Sequence, residues 1–109
     1  MRVHVHVRGI EPSPELLAFV QRRAQFALGR FNGYIHSVSV RLWENPKPPA
    51  QRGCDVRITC NFHTPLVVRA QEDSLSAAVI HALDRAERAV SLQWRSLRPS
   101  SRGGFSFGD

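Results

Sequence analysis

Residues Arg2 to Arg8 alternate without a break: Val3, Val5 and Val7 face one way, Arg2, His4, His6 and Arg8 the other. Successive side chains of a strand point to opposite faces, so this run is a half-buried strand with one dry face and one cationic, wet face. The alternation calls for a sheet that is covered on one side and open on the other. It returns three times. Ser37 to Trp43 sends Val38, Val40 and Leu42 inward, and Cys54, Val56, Ile58, Cys60 and Phe62 make the clearest apolar face in the chain. Leu66 to Gln71 forms a fourth strand after the tight turn His63-Thr64-Pro65.

Two helices separate and close these strands. Gly9-Ile10-Glu11-Pro12 breaks the first strand, then Ser13 offers an N-cap, Pro14 takes the favoured first position and Glu15 faces the positive helix end. The spacing predicts a helix to about Phe31, with Leu16, Val20, Ala24, Ala27 and Phe31 on its buried stripe and Asn32-Gly33 ending it. Asp73-Ser74 caps a second helix that ends near Leu97, before Pro99, with Leu75, Val79, Ala82, Ala86 and Val90 inward. Between the second and third strands, Glu44 to Gly53 holds Pro46, Pro48 and Pro49 and reads as an irregular, mobile connection. The order is β-α-β-β-β-α. It implies an α+β two-layer sandwich, a four-stranded sheet with two helices on one face. No internal repeat is present. Residues 1–98 make one domain, and 99–109, rich in Ser and Gly with two Phe, read as a disordered tail.

Composition sets the partner class. The chain of 109 residues carries a formal charge of +6, and Lys47 is the lone lysine among 15 Lys and Arg. Arginine stays charged and grips phosphate with a planar fork, so this excess fits a polyanion; a GC-rich coding bias would leave the same trace. No apolar run approaches the ~18 residues of a membrane span, and the start lacks the apolar core of a signal peptide. The cytosol is the expected compartment. Cys54 and Cys60 lie roughly 20 Å apart on one strand, beyond disulfide reach, and read as small buried hydrophobes.

Three surfaces compete for the polyanion. On the second helix His81, Arg85, Arg88 and Arg95 fall on one stripe about 140° from the core stripe, matching phosphates along a nucleic-acid backbone. A solvated face with Asp84 and Glu87 as local partners would look the same. On the first helix Phe19, Arg23, Phe26 and Arg30 lie on one line with Arg22 beside it, a pattern that stacks bases while neutralising phosphate. Phe19 reads better as the edge of the core. The open sheet face would display Arg2, His4, His6, Arg8, Arg41, Trp43, Arg57 and Arg69, but offers only Trp43 for stacking and ranks second. His4 and His6 share a face without an acidic or Cys partner, so no metal site is expected. No phosphate loop, nucleophile elbow or paired carboxylates point to catalysis, a cofactor or a small-molecule substrate.

Two stretches are similar to a known family. Ser13-Pro14-Glu15-Leu16-Leu17-Ala18-Phe19-Val20, then Arg30-Phe31-Asn32 and Ser37-Val38-Ser39-Val40, resemble the helix opening Thr-Pro-x-Leu-x-x-Tyr-Val, the helix end Phe-Asp and the strand x-Val-x-Val of the ribosome hibernation-promoting factors. Members of this family are also called ribosome-associated inhibitors or ribosomal-subunit-interface proteins. Glu72-Asp73-Ser74-Leu75-Ser76-Ala77-Ala78-Val79 and Leu83-Asp84-Arg85-Ala86-Glu87-Arg88-Ala89-Val90 resemble the family's last helix. The resemblance covers about residues 1–95 and corresponds to the short form, without the carboxy-terminal dimerisation domain. It implies binding to the small ribosomal subunit, through its rRNA, where messenger and transfer RNA would lie. Arg23, Arg85 and Arg88 would occupy basic positions of that surface, with Arg22 and Arg30 close by. This chain departs at Ser91-Leu92-Gln93-Trp94-Arg95, poorer in charge than the family's Lys-rich end, at Ile80 in place of an acid, and at Phe26 where Lys is common.

The resulting expectation is a non-enzymatic RNA-binding protein that docks on the small subunit and inhibits translation, using Arg22, Arg23, Arg30, His81, Arg85, Arg88 and Arg95. A general double-stranded RNA-binding module is the alternative from the same chemistry. A dimerising interaction domain, with Phe26, Ile80, Leu92 and Trp94 as its patch, is the alternative from another class. The oligomeric state stays open.

Overall fold

The computed structural model describes residues 1–61 and 63–97. Among them the chain forms β1 (Arg2–Arg8), α1 (Pro14–Leu28), a 3-10 turn (Gly29–Phe31), β2 (Ile35–Asn45), β3 (Gln51–Cys60), β4 (Leu66–Glu72) and α2 (Leu75–Ser96). The expected order and two-layer architecture are present. Phe62 and the expected tail lie outside the described residues.

The strands lie in sequence order, β1-β2-β3-β4. β1 runs parallel to β2 because α1 carries the chain back across the sheet; the other pairs are antiparallel. The register aligns the alternations, so Val5, Val40, Val56 and Val68 form one rank on the covered face. α1 packs over β1, and α2 packs over β3 and β4 and against α1. Val20, Ala24, Leu28, Val38, Val40, Leu42, Val56, Ile58, Val79 and Leu83 fill the space between the layers. At about 25 cal/mol per Å² of apolar surface removed from water, such burial is what holds sheet and helices together.

Both helices start as their caps dictate. Ser13 Oγ accepts from the Leu16 amide and Ser74 Oγ from the Ala77 amide, each at 3.1 Å. α1 gives way at Leu28 to the tighter turn that ends on Phe31. The buried arcs are broader than single stripes. Leu28 on α1 and Ala78 and Leu83 on α2 are buried, whereas Leu16, Ala27 and Leu75 are only half-buried. Each helix packs on its neighbour as well as on the sheet, which widens its dry face.

The connection from β2 to β3 is shorter than expected. The ladder continues through Trp43–Gly53, Glu44–Arg52 and Asn45–Gln51, leaving only residues 46–50, which hold all three prolines, outside it. The Glu44–Arg52 ion pair closes the end of the hairpin. Gly9, at φ +76°, ends β1 so close to the Glu44 carbonyl that a Cβ would sit 2.3 Å from its oxygen.

Candidate nucleic-acid interface

α2 turns its basic stripe toward the free edge of β4. His81 Nδ1 lies 2.8 Å from Glu72 Oε2 at the end of β4, and the Arg85 guanidinium donates to the Arg69 backbone carbonyl within it. Arg88 and Arg95 are exposed further along the helix, with no ion pair among the described residues. The expected stripe therefore divides: His81 and Arg85 are held at the sheet edge, while Arg88 and Arg95 stand in solvent.

The first helix contributes differently from its sequence pattern. Phe19 packs half-buried against the core, whereas Phe26 is 79% exposed. The Arg23 guanidinium lies 5.1 Å from the centre of the Phe26 ring, and its Nε is buried without a hydrogen-bond partner among the described residues. Arg22 is exposed. Arg30 stacks 4.5 Å over the Phe31 ring and forms an ion pair with Glu87. Glu87 is thus a partner across the two helices rather than a local one on α2. That pair also brings Arg30 to the turn of α2 that carries Arg88. Because both partners are substantially solvated, the bond is worth only about 0.2–1 kcal/mol, which a phosphate can outbid.

Of the expected interaction patch, Phe26 and Leu92 are openly exposed, Ile80 is half-buried, and Trp94 sets its ring against Phe31 and Tyr34. The Tyr34 hydroxyl donates to Gln93 Oε1 at 2.8 Å, tying the last turns of α2 to the loop before β2.

The open sheet face carries every cation expected of it, in ranks fixed by register. One rank crosses all four strands as His6, Arg41, Asp55 and Arg69; the next is Arg8, Trp43, Gly53 and Gln71. Asp55, an acid among these cations that alternation with Cys54 and Val56 also places on this face, lies 3.6 Å from Arg69. An open concavity of about 920 Å³ spans these ranks and is bounded by Arg8, Arg41, Trp43, Arg69 and also Arg85. Helix stripe and sheet face, which looked like rivals, meet at Arg85.

Among the described residues no group of three or more His, Cys, Asp or Glu is arranged to hold a metal. Both cysteines are free and buried, and burial together with the neighbouring Asp55 pushes the Cys54 thiol up to about 12. No described helix is long and apolar enough to cross a membrane.

The family model described as sigma 54 modulation protein / S30EA ribosomal protein matches residues 3–93. No curated protein matches the chain. Among solved structures, a ribosomal subunit interface protein from Coxiella burnetii superimposes with a TM-score of 0.72 at 14% identity, covering 88% of this chain and 99% of that one. The N-terminal domain of Thermus thermophilus Protein Y superimposes with a TM-score of 0.63 at 16% identity, covering 83% and 96%. At such identities the likeness is one of fold.

Proposed function

The chain belongs to the sigma 54 modulation protein / S30EA ribosomal protein family, and from that premise we propose that it docks on the small ribosomal subunit and inhibits translation there. The observation that carries this reading is the set of exposed cations on the helix layer: Arg22 on α1, Arg30 just past its end, and Arg88 and Arg95 on α2. Solvated guanidinium groups on rigid helices are suited to the phosphates of folded rRNA, which present charge at fixed positions.

The mechanism is steric and needs no bond chemistry. A two-layer wedge held by arginine–phosphate contacts fills space that messenger and transfer RNA would occupy, so the block lasts as long as the protein stays bound. Arg23 and Arg85 support the surface, one from beside Phe26 and the other from the edge of β4. The work would take place in the cytosol, in cells that have slowed their growth. Sedimentation of the tagged chain through a sucrose gradient from stationary-phase cells tests the reading. The protein should travel with small-subunit-containing particles and lose that association when Arg88 and Arg95 are both changed to Glu. A full-length protein that stays at the top of a low-salt gradient would overturn it.

A further inference from the structure

The open sheet face is left over when the helix layer is assigned to the ribosome. It is not a neutral surface. The concavity of about 920 Å³ is lined by Arg8, Arg41, Arg69 and Arg85 together with Trp43. Its two acids are already committed, Asp55 to Arg69 and Glu44 to Arg52, so the net field at its mouth is positive.

Trp43 holds a defined position. Its ring occupies the space beside Gly53 where any other residue would place its Cβ, 2.2 Å from ring atom Cζ2. The absence of a side chain at Gly53 lets the ring seat against the strand, and Trp43 remains partly exposed between Arg8 and Gly53 in its rank. Gln51 and Gln71 lie on the same wall and bring amides that both donate and accept.

An indole in a cleft lined by arginines is suited to a flat base that carries its own phosphates. A duplex keeps its bases stacked on one another, so only an unpaired nucleotide has a face to offer. We infer that the open sheet face binds single-stranded RNA, seating one unpaired base against Trp43 and the flanking phosphates on Arg8, Arg41 and Arg85. The site is distinct from the exposed helix-layer cations Arg22, Arg30, Arg88 and Arg95, and does not rest on ribosome docking. With a single aromatic platform it holds one base firmly and reads little sequence.

The test uses the full chain with Trp94→Phe, so that Trp43 is the only indole, titrated with a single-stranded oligoribonucleotide of about eight nucleotides. Saturable quenching of the Trp43 emission is expected. The exposed pair Arg8→Glu with Arg41→Glu should weaken binding at least about tenfold, while Arg88→Glu with Arg95→Glu leaves it within about twofold. A blunt RNA duplex and poly-glutamate should compete poorly. Absence of quenching, equal competition by poly-glutamate, or loss confined to the helix-layer variant would each overturn the inference. Co-sedimentation with ribosomes, measured on the same variants, reports separately on the helix layer and should survive the Arg8 and Arg41 changes.

Discussion

Arg85 on α2 donates to the backbone carbonyl of Arg69 on β4. The contact does two things. It covers part of an edge strand whose outward backbone groups would otherwise offer pairing to another chain. It also swings a cation from the helix stripe to the rim of the open sheet face, so Arg85 borders both surfaces.

Arg85 should therefore contribute to stability in a way its neighbour Arg88 does not. Arg85→Glu breaks the bond and sets a carboxylate near a carbonyl oxygen, which should lower unfolding stability by about 1 kcal/mol. Arg88→Glu should stay within about 0.5 kcal/mol of the parent. Urea unfolding of the two variants decides the matter. Equal midpoints would mean that the Arg85 bond adds nothing.

Binding to ribosomes should be steeply salt-dependent. The logarithm of affinity is expected to fall linearly with the logarithm of salt, at roughly −0.7 to −0.9 per phosphate contact. Removing Arg88 and Arg95 together should flatten that slope by about 1.5 as well as weaken binding. A parent slope near zero would exclude phosphate contacts as the source of affinity.

Alkaline solution should unfold this protein early. Burial raises the Cys54 thiol from 9.0 to about 12, and burial also raises Cys60 and Tyr34. A raised value means that the folded state holds its proton after the unfolded chain has released it. The associated stability is complete below pH 9 and drains as pH climbs toward 12. Cys54→Ala should be less stable near neutrality, because it loses buried volume, yet decline less steeply above pH 9. Urea midpoints measured at several pH values test the sign: a parent stability that rises through this window contradicts it.

The two faces of the sheet were legible from alternation alone, because a period of two assigns each of Val3, Val5 and Val7 and each of Arg2, His4 and His6 without reference to the rest of the chain. Ser13 was equally plain as a cap, and Asp73-Ser74 marked the start of the second helix, where Ser74 is the residue that caps. What depended on neighbours was not readable. Leu83 and Ala78 are buried beyond the single stripe that spacing alone assigns, on either flank of it, and the pairing of Glu87 with Arg30 joins residues 57 apart in sequence. The irregular stretch is shorter than composition suggests because prolines forbid regular structure only where they stand. Glu44 and Arg52 flank them and remain free to pair.

The seat of Trp43 gives a sharp test of the hairpin. Gly53→Ala introduces a Cβ 2.2 Å from the ring, so the indole must swing away from the strand. In the Trp94→Phe background the emission should move to longer wavelength, and the fold should lose about 1–2 kcal/mol. Unchanged emission would mean that the ring does not rest on Gly53.

The final prediction separates the two surfaces, and the contacts decide which variants can do it. Arg69 is a poor control for the sheet because its carbonyl receives Arg85 and its side chain pairs with Asp55. Arg85 is a poor probe of the helices for the same reason. Arg88 and Arg95 are exposed and carry no ion pair among the described residues, so changing both to Glu alters charge without disturbing Val79, Ala82, Ala86 or Val90. Their small-subunit affinity should drop at least tenfold, since two charge-assisted contacts together exceed roughly 1.4 kcal/mol. Arg57→Glu, exposed on β3 and away from the Arg85 contact, should leave that affinity nearly intact. If Arg57→Glu abolishes small-subunit binding while the helix variant retains it, docking runs through the sheet, and the assignment of the helix layer to the ribosome is wrong.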